Sequence, residues 1–150
     1  MRAIVQRVAQ ASVVIEGNET SRIDRGLLVL LGVEETDEAA DAAWLAGKIA
    51  RMRLFADDSG KMNLDTSGAG GGILVVSQFT LFASTRKGNR PSFLRAALPQ
   101  RAEPLYEEFC RMLASESGID VRRGVFGADM RVTLVNDGPV TIVIDSRLRE

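Results

Sequence analysis

The chain contains no histidine. That absence excludes every Ser-His or Cys-His mechanism and every imidazole metal ligand. It has a single cysteine, Cys110. An internal disulfide is therefore ruled out, and a thiolate zinc site has too few donors. No metal or other cofactor is expected. Chemistry falls to carboxylates, hydroxyls, lysine, backbone groups or the substrate itself. Aromatic residues make up only 5% of the chain, a thin supply for a nucleic-acid stacking surface. The net charge of −1 supplies no global field toward nucleic acid or membrane, so any such contact must come from a local patch. Long apolar runs are missing too. "GLLVLLGV" is too short to span a bilayer, and the uncharged stretch 66–85 is full of Gly, Ser, Thr and Gln. The opening "MRAIVQRVAQ" interrupts its apolar residues with Arg and Gln, unlike a signal peptide. These features predict a soluble, cytoplasmic protein with no membrane partner.

What is present suits one globular domain, 1–150, since 150 residues at 45% hydrophobic content can bury a core. Residues 3–17 read as two short strands or one bent strand, 21–26 as a turn, and the apolar run 27–33 as a strand. A helix is predicted over 37–53, where Ala42, Leu45, Ile49 and Met52 recur at helical spacing. Residues 54–63 read as strand–turn–strand and 73–82 as a buried strand that turns polar. A second helix is predicted over 102–117, with Leu105, Phe109, Met112 and Leu113 on one stripe and Pro104 in its first turn. "RVTLV" and "VTIVID" flank Asp-Gly and read as a hairpin over 130–145. The expected class is α+β: a largely antiparallel, barrel-like sheet carrying two main helices.

Several segments invite chemistry. The glycines of "SGAGGG" (67–72) precede a strand instead of following one, so they read as a loop and not a phosphate cradle. "DDSGKMNLD" (57–65) resembles a calcium loop but places Lys61 at a ligand position and lacks the bidentate Glu. In "SQFTL" (77–81), Ser77, Gln78 and Thr80 interrupt an apolar strand. They are either hydroxyls and amides satisfying a strand end or the polar rim of a pocket. From Thr85 to Arg101 there are five basic residues and no acid, with Phe93 among them. Such a run is a solvated loop or a phosphate-tracking patch. In "NDGPVT" (136–141) a proline follows the turn glycine. It marks either an edge-strand turn or a cis Gly-Pro bond that aims carbonyl oxygens outward.

Together these segments resemble the D-aminoacyl-tRNA deacylases, the bacterial and eukaryotic type that hydrolyses D-amino acids from mischarged tRNA. The resemblance covers essentially the whole chain and includes "MRAIVQRV", "GLLVLLGV", "KMNLD", "VVSQFTL", "KGNRPSF", "FGADM" and "NDGPVT". The glycine-rich 68–72, Ser84 and the tail "RLRE" look least like the family. It implies a homodimer in which a Gly138-Pro139 cis motif of one subunit faces Ser77, Gln78, Phe79 and Thr80 of the other. Arg7 would hold the motif, and Phe126 and Met130 would line the pocket near the terminal adenosine. Arg86, Lys87 and Arg90 become candidate tRNA contacts; DNA is not an expected partner. An aminoacyl ester is already activated, so backbone N–H groups at Phe79 and Thr80, a positioned water and the ribose 2′-OH could suffice. Glycine, lacking a side chain to exclude, would also be accepted, including glycine mischarged on tRNA-Ala. Two other classes stay open: an esterase with Thr80 as nucleophile, and a non-catalytic RNA-binding module.

Overall fold

The computed structural model describes residues 1–149; Glu150, the last residue of the expected domain and of the "RLRE" tail, lies outside them. The chain runs through β1 (Arg2–Ile15), β2 (Asn18–Ile23), β3 (Gly26–Gly32), α1 (Ala39–Ala50), β4 (Phe55–Ala56), β5 (Met62–Leu64) and β6 (Gly72–Ser77). A 3-10 turn (Phe79–Phe82), α2 (Pro99–Ser117), β7 (Arg122–Arg123) and β8 (Arg131–Asp145) complete it. The class is α+β, as expected.

Strand β1 organises the sheet. It is one long bent strand, not two. Its first half pairs with β3 and its second half with β2, both antiparallel and on one edge, while β8 runs antiparallel along the other. Beyond β3 the sheet continues in parallel through β6 to β7. The sheet is therefore largely antiparallel, with a parallel flank. Ser21 Oγ donates to the Arg123 carbonyl at 2.6 Å, tying β2 back toward β7 and curling the sheet into a nearly closed barrel.

The central strands are apolar on both faces because both faces are covered. Leu27, Val29, Leu31, Ile73 and Val75 pack against the two helices. Leu28, Leu74 and Val76 point the other way, into the curl, against Val8, Ala11 and Val13. Each fully buried Leu or Phe here contributes on the order of 2–3 kcal/mol by its removal from water.

Four expectations need correction. Residues 21–23 belong to β2, so the turn is confined to Asp24–Arg25. The strand expected over 73–82 ends at Ser77. Gln78 N–H makes the last ladder-like bond, to Leu31 C=O at 2.7 Å, and the chain then coils so that Phe82 can be buried. Helix α2 starts earlier than predicted, with Pro99 in the first turn, so Pro104 lies inside the helix. It is tolerated there because it sits on the exposed face, where water can satisfy the carbonyl left without a donor. The buried stripe of α2 is Ala102, Tyr106, Phe109, Cys110 and Leu113, with Leu105 and Met112 at its margins.

The fourth correction is the largest. Residues 130–145 are not a hairpin. Both apolar runs pair with β1, whose 14 residues offer a partner long enough for the two of them. "NDGP" is instead a protrusion in the middle of β8, opposite Arg7, where the register slips between Gln6↔Thr141 and Val8↔Asn136. The Asp57 loop, in contrast, is the expected strand–turn–strand. Its carboxylate accepts from Ser59, Lys61 and Asn63, which lowers its pKa to about 2 and leaves the loop satisfied without an ion.

Candidate active site

A cleft of about 590 Å³ opens where β6 ends. Ser77, Gln78 and Phe79 form one side, Phe93 and Leu98 another, and Phe126 and Met130 face them. "SQFTL" and "FGADM", distant in sequence, are thus brought together. Thr80 lies beside this group but does not line the cleft.

The 3-10 turn sets the chemistry of the rim. The first N–H groups of a helical turn have no partner within it. Leu81 N–H bonds to Gln78 C=O at 3.2 Å and Ala83 N–H to Thr80 C=O at 3.1 Å, whereas Phe79 and Thr80 N–H donate to nothing among the described residues. Two adjacent donors are left free beside the cleft. The Gln78 amide Nε2 donates to Thr80 Oγ1 at 2.5 Å. An amide is no base, so this contact orients the hydroxyl without activating it.

Gly32 makes the turn possible. A Cβ there would lie 3.1 Å from Gln78 O, Leu81 Cβ and the Phe82 ring, so a side chain would crowd the turn by a few tenths of an ångström against β3. Tyr106 lies beneath the cleft and donates to Val75 C=O at 3.0 Å, so the hydroxyl is consumed in holding β6. Burial raises its pKa steeply. Cys110 is also buried, which pushes its thiol up to about 12 and removes it as a nucleophile. Among the described residues no group of three or more potential metal-binding side chains occurs.

The Gly138–Pro139 bond is cis, but the motif is not in this cleft. Arg7 is level with Leu27, and Leu27 with Ile73, while the cleft begins at Ser77, level with Leu31. By register the motif is three strands across and four residues along from Ser77, and neither Gly138 nor Pro139 lines the cleft. Around it, Arg7 Nε donates to Asp137 C=O at 3.0 Å and Nη1 to Leu54 C=O at 2.6 Å. Asn136 closes the protrusion, its Oδ1 accepting from Val140 N–H at 3.0 Å and its Nδ2 donating to Thr141 Oγ1 at 3.0 Å. Gly138 holds φ = +137°, which L side chains rarely adopt.

The basic run divides in two. Arg95 pairs with Glu34 at 2.6 Å and Arg101 donates to Asp37 C=O at 2.6 Å. Arg86, Lys87 and Arg90 are exposed and form no ion pair among the described residues. Their loop is closed at its base by the paired Ser84 and Ser92, so it springs from the cleft wall next to Phe93. Sequence reasoning missed Phe93 as a cleft residue and Tyr106 as part of its support. For Tyr106 the signal was available, because it continues the Ala102–Phe109–Leu113 stripe.

Residues 4–145 match the family model for D-Tyr-tRNA(Tyr) deacylase. The chain belongs to this family. Proteins named D-aminoacyl-tRNA deacylase from Opitutus terrae and Flavobacterium johnsoniae are 59% and 55% identical to it over 150 residues, covering all of both chains. A relative of the same name from Akkermansia muciniphila is 58% identical, again over 100% of each chain. Among solved structures, a c-Myc DNA unwinding element binding protein superposes with a TM-score of 0.90 at 40% identity, covering 97% of this chain and 98% of that one. A probable eukaryotic D-amino acid tRNA deacylase, 16% identical, shares the fold with a TM-score of 0.81 over 95% of this chain and 97% of its own. Deacylation of aminoacyl-tRNA is hydrolysis of an ester, so membership places the chain among ester hydrolases.

Proposed function

We propose that the protein hydrolyses the ester joining a D-amino acid to the 3′ end of tRNA, releasing free D-amino acid and tRNA in the cytoplasm. The observation that carries this reading is full-length membership of the deacylase family in a chain whose cleft rim offers two free backbone donors and no histidine. In the proposed reaction, water adds to the ester carbonyl carbon. The carbonyl oxygen gains negative charge and is met by the Phe79 and Thr80 N–H groups. Collapse of the adduct breaks the bond to the ribose 3′ oxygen, which takes a proton, with the neighbouring 2′-OH able to relay it. Phe126 and Met130 would face the terminal adenosine.

Chiral choice would come from the Gly138-Pro139 motif of a second subunit in a homodimer. The position of the motif supports this, because neither Gly138 nor Pro139 lines the cleft of its own chain. Its carbonyls would accept from the α-ammonium group, and its backbone would occupy the space an L side chain needs. A substrate without a side chain escapes that exclusion, so glycyl-tRNA, including glycine mischarged on tRNA-Ala, is part of the proposal. The deciding experiment follows release of D-amino acid, L-amino acid and glycine from tRNA, with and without the terminal 2′-OH. D-amino acid and glycine are released, L-amino acid is retained, and the 2′-deoxy substrate is slower. Equal release of both enantiomers would overturn the reading. Binding of tRNA without turnover would make the protein an RNA-binding module, and a trapped acyl-enzyme on Thr80 would make it a hydroxyl-nucleophile esterase.

A further inference from the structure

Arg2 lies at the start of β1, outside the cleft, yet it reaches the turn that shapes it. Its cross-strand neighbours are Asp145 on β8 and Gly32 on β3. Nε and Nη2 donate to Asp145 Oδ2 at 3.1 and 3.0 Å, which fixes the plane of the guanidinium. Gly32 has no side chain, so the remaining arm passes over β3 and Nη1 donates to Leu81 C=O at 2.8 Å. The same guanidinium lies 5.0 Å from the centre of the Phe82 ring, with Arg95 at 5.6 Å from that ring. Leu81 and Phe82 are the last two residues of the 3-10 turn whose first two N–H groups are left free beside the cleft.

We propose that Arg2 is a positioning residue of the reaction, pinning the back of the turn so that the Phe79 and Thr80 N–H groups keep their aim. The proposal rests on the deacylase reading above. A four-residue turn has few internal bonds to resist rotation, so an external hydrogen bond to its carbonyl decides where its donors point. The fork is essential, because one arm group must hold Asp145 while another holds Leu81. A lysine has a single ammonium centre and cannot bridge both with that planar geometry.

The test compares wild type with Arg2→Gln and Arg2→Lys. In both variants kcat falls about 10- to 100-fold while KM stays within about twofold, the signature of misaimed transition-state groups. Amide hydrogen exchange at Leu81 and Ala83 accelerates in the variants, a readout that needs no substrate. Arg2→Lys keeps the charge near Phe82 and guards against simple misfolding. Unchanged kcat with unchanged exchange, or a raised KM at constant kcat, would overturn the proposal. If wild type itself releases no D-amino acid, the functional reading fails, and the exchange experiment still decides whether Arg2 holds the turn.

Discussion

Neutralising Arg86, Lys87 and Arg90 together should change the salt dependence of tRNA binding by a calculable amount. The structure selects these three because Arg95 and Arg101 are already engaged, whereas these three are exposed and form no ion pair among the described residues. Each cation that neutralises a phosphate releases counterion and adds about 0.7–0.9 to the slope of log affinity against log salt. Three contacts give about 2–2.7. Between about 50 and 200 mM salt, the wild type should therefore lose roughly 20- to 40-fold more affinity than the triple Gln variant. The assay is equilibrium binding of uncharged tRNA across that range, with kcat measured in parallel. The kcat should stay within about twofold, because phosphate contacts position and do not react. An unchanged slope would refute the assignment and move the RNA path elsewhere, with Arg122 and Arg123 as the next surface to test.

Gly138→Ala should cost about 1–3 kcal/mol of stability and most of the activity, since φ is +137° and the new Cβ would lie 2.8 Å from Val140 Cγ2 and 3.1 Å from Arg7 Nη2. Thermal melting and D-aminoacyl-tRNA turnover check it; full activity would remove the motif from the mechanism. Thr80→Ala should retain kcat within about tenfold, because its hydroxyl only receives the Gln78 amide and has no base beside it; a loss beyond about a thousandfold in a folded variant would identify a nucleophile. Chelator should leave activity unchanged, and loss restored by a divalent ion would refute that. The folded pKa of Asp57, about 2, lies below its ordinary 3.8, so its hydrogen-bonded loop is fully supported above about pH 4 and loosens as pH falls toward 2. Chemical shifts of Ser59, Lys61 and Asn63 should report that titration.

Much of this was legible in the sequence. Helical spacing located both helices, and the Asp57 turn carried its own side-chain bonds; "SQFTL" was read as either a satisfied strand end or a pocket rim, and the strand ends at Ser77 while Ser77, Gln78 and Phe79 line the cleft. The failures were failures of partner choice. Asp-Gly between two apolar runs specifies a hairpin only if the runs pair with each other. In β8 each run found β1 instead, and nothing local to 130–145 encodes that. The early start of α2 has the same character: Pro104 is a poor interior residue, but the exposed face it happens to occupy makes it tolerable. Phe93 could not be assigned to the cleft because its loop returns there through long-range pairings, Ser84 with Ser92 and Glu34 with Ala96, that no local pattern encodes.

The two groups that the proposed reaction uses are both backbone and of opposite polarity: N–H donors at Phe79 and Thr80, carbonyl acceptors at Gly138 and Pro139. Each is held by an arginine of β1 that hydrogen-bonds a backbone carbonyl, Arg2 at Leu81 and Arg7 at Asp137 and Leu54. Residues 2 and 7 have opposite parity along a strand, so their side chains leave opposite faces. Arg7 shares the face of Ala3 and Val5, which pack toward the helices, and Arg2 leaves the other. One strand therefore supports both the donor pair and the acceptor pair. Within one chain the cleft lining includes Phe79 but neither Gly138 nor Pro139. In the homodimer proposed above, the protrusion of each chain would enter the cleft of the other. The absence of histidine fits the same logic: backbone groups fixed by the fold need no titratable partner to be in the right state.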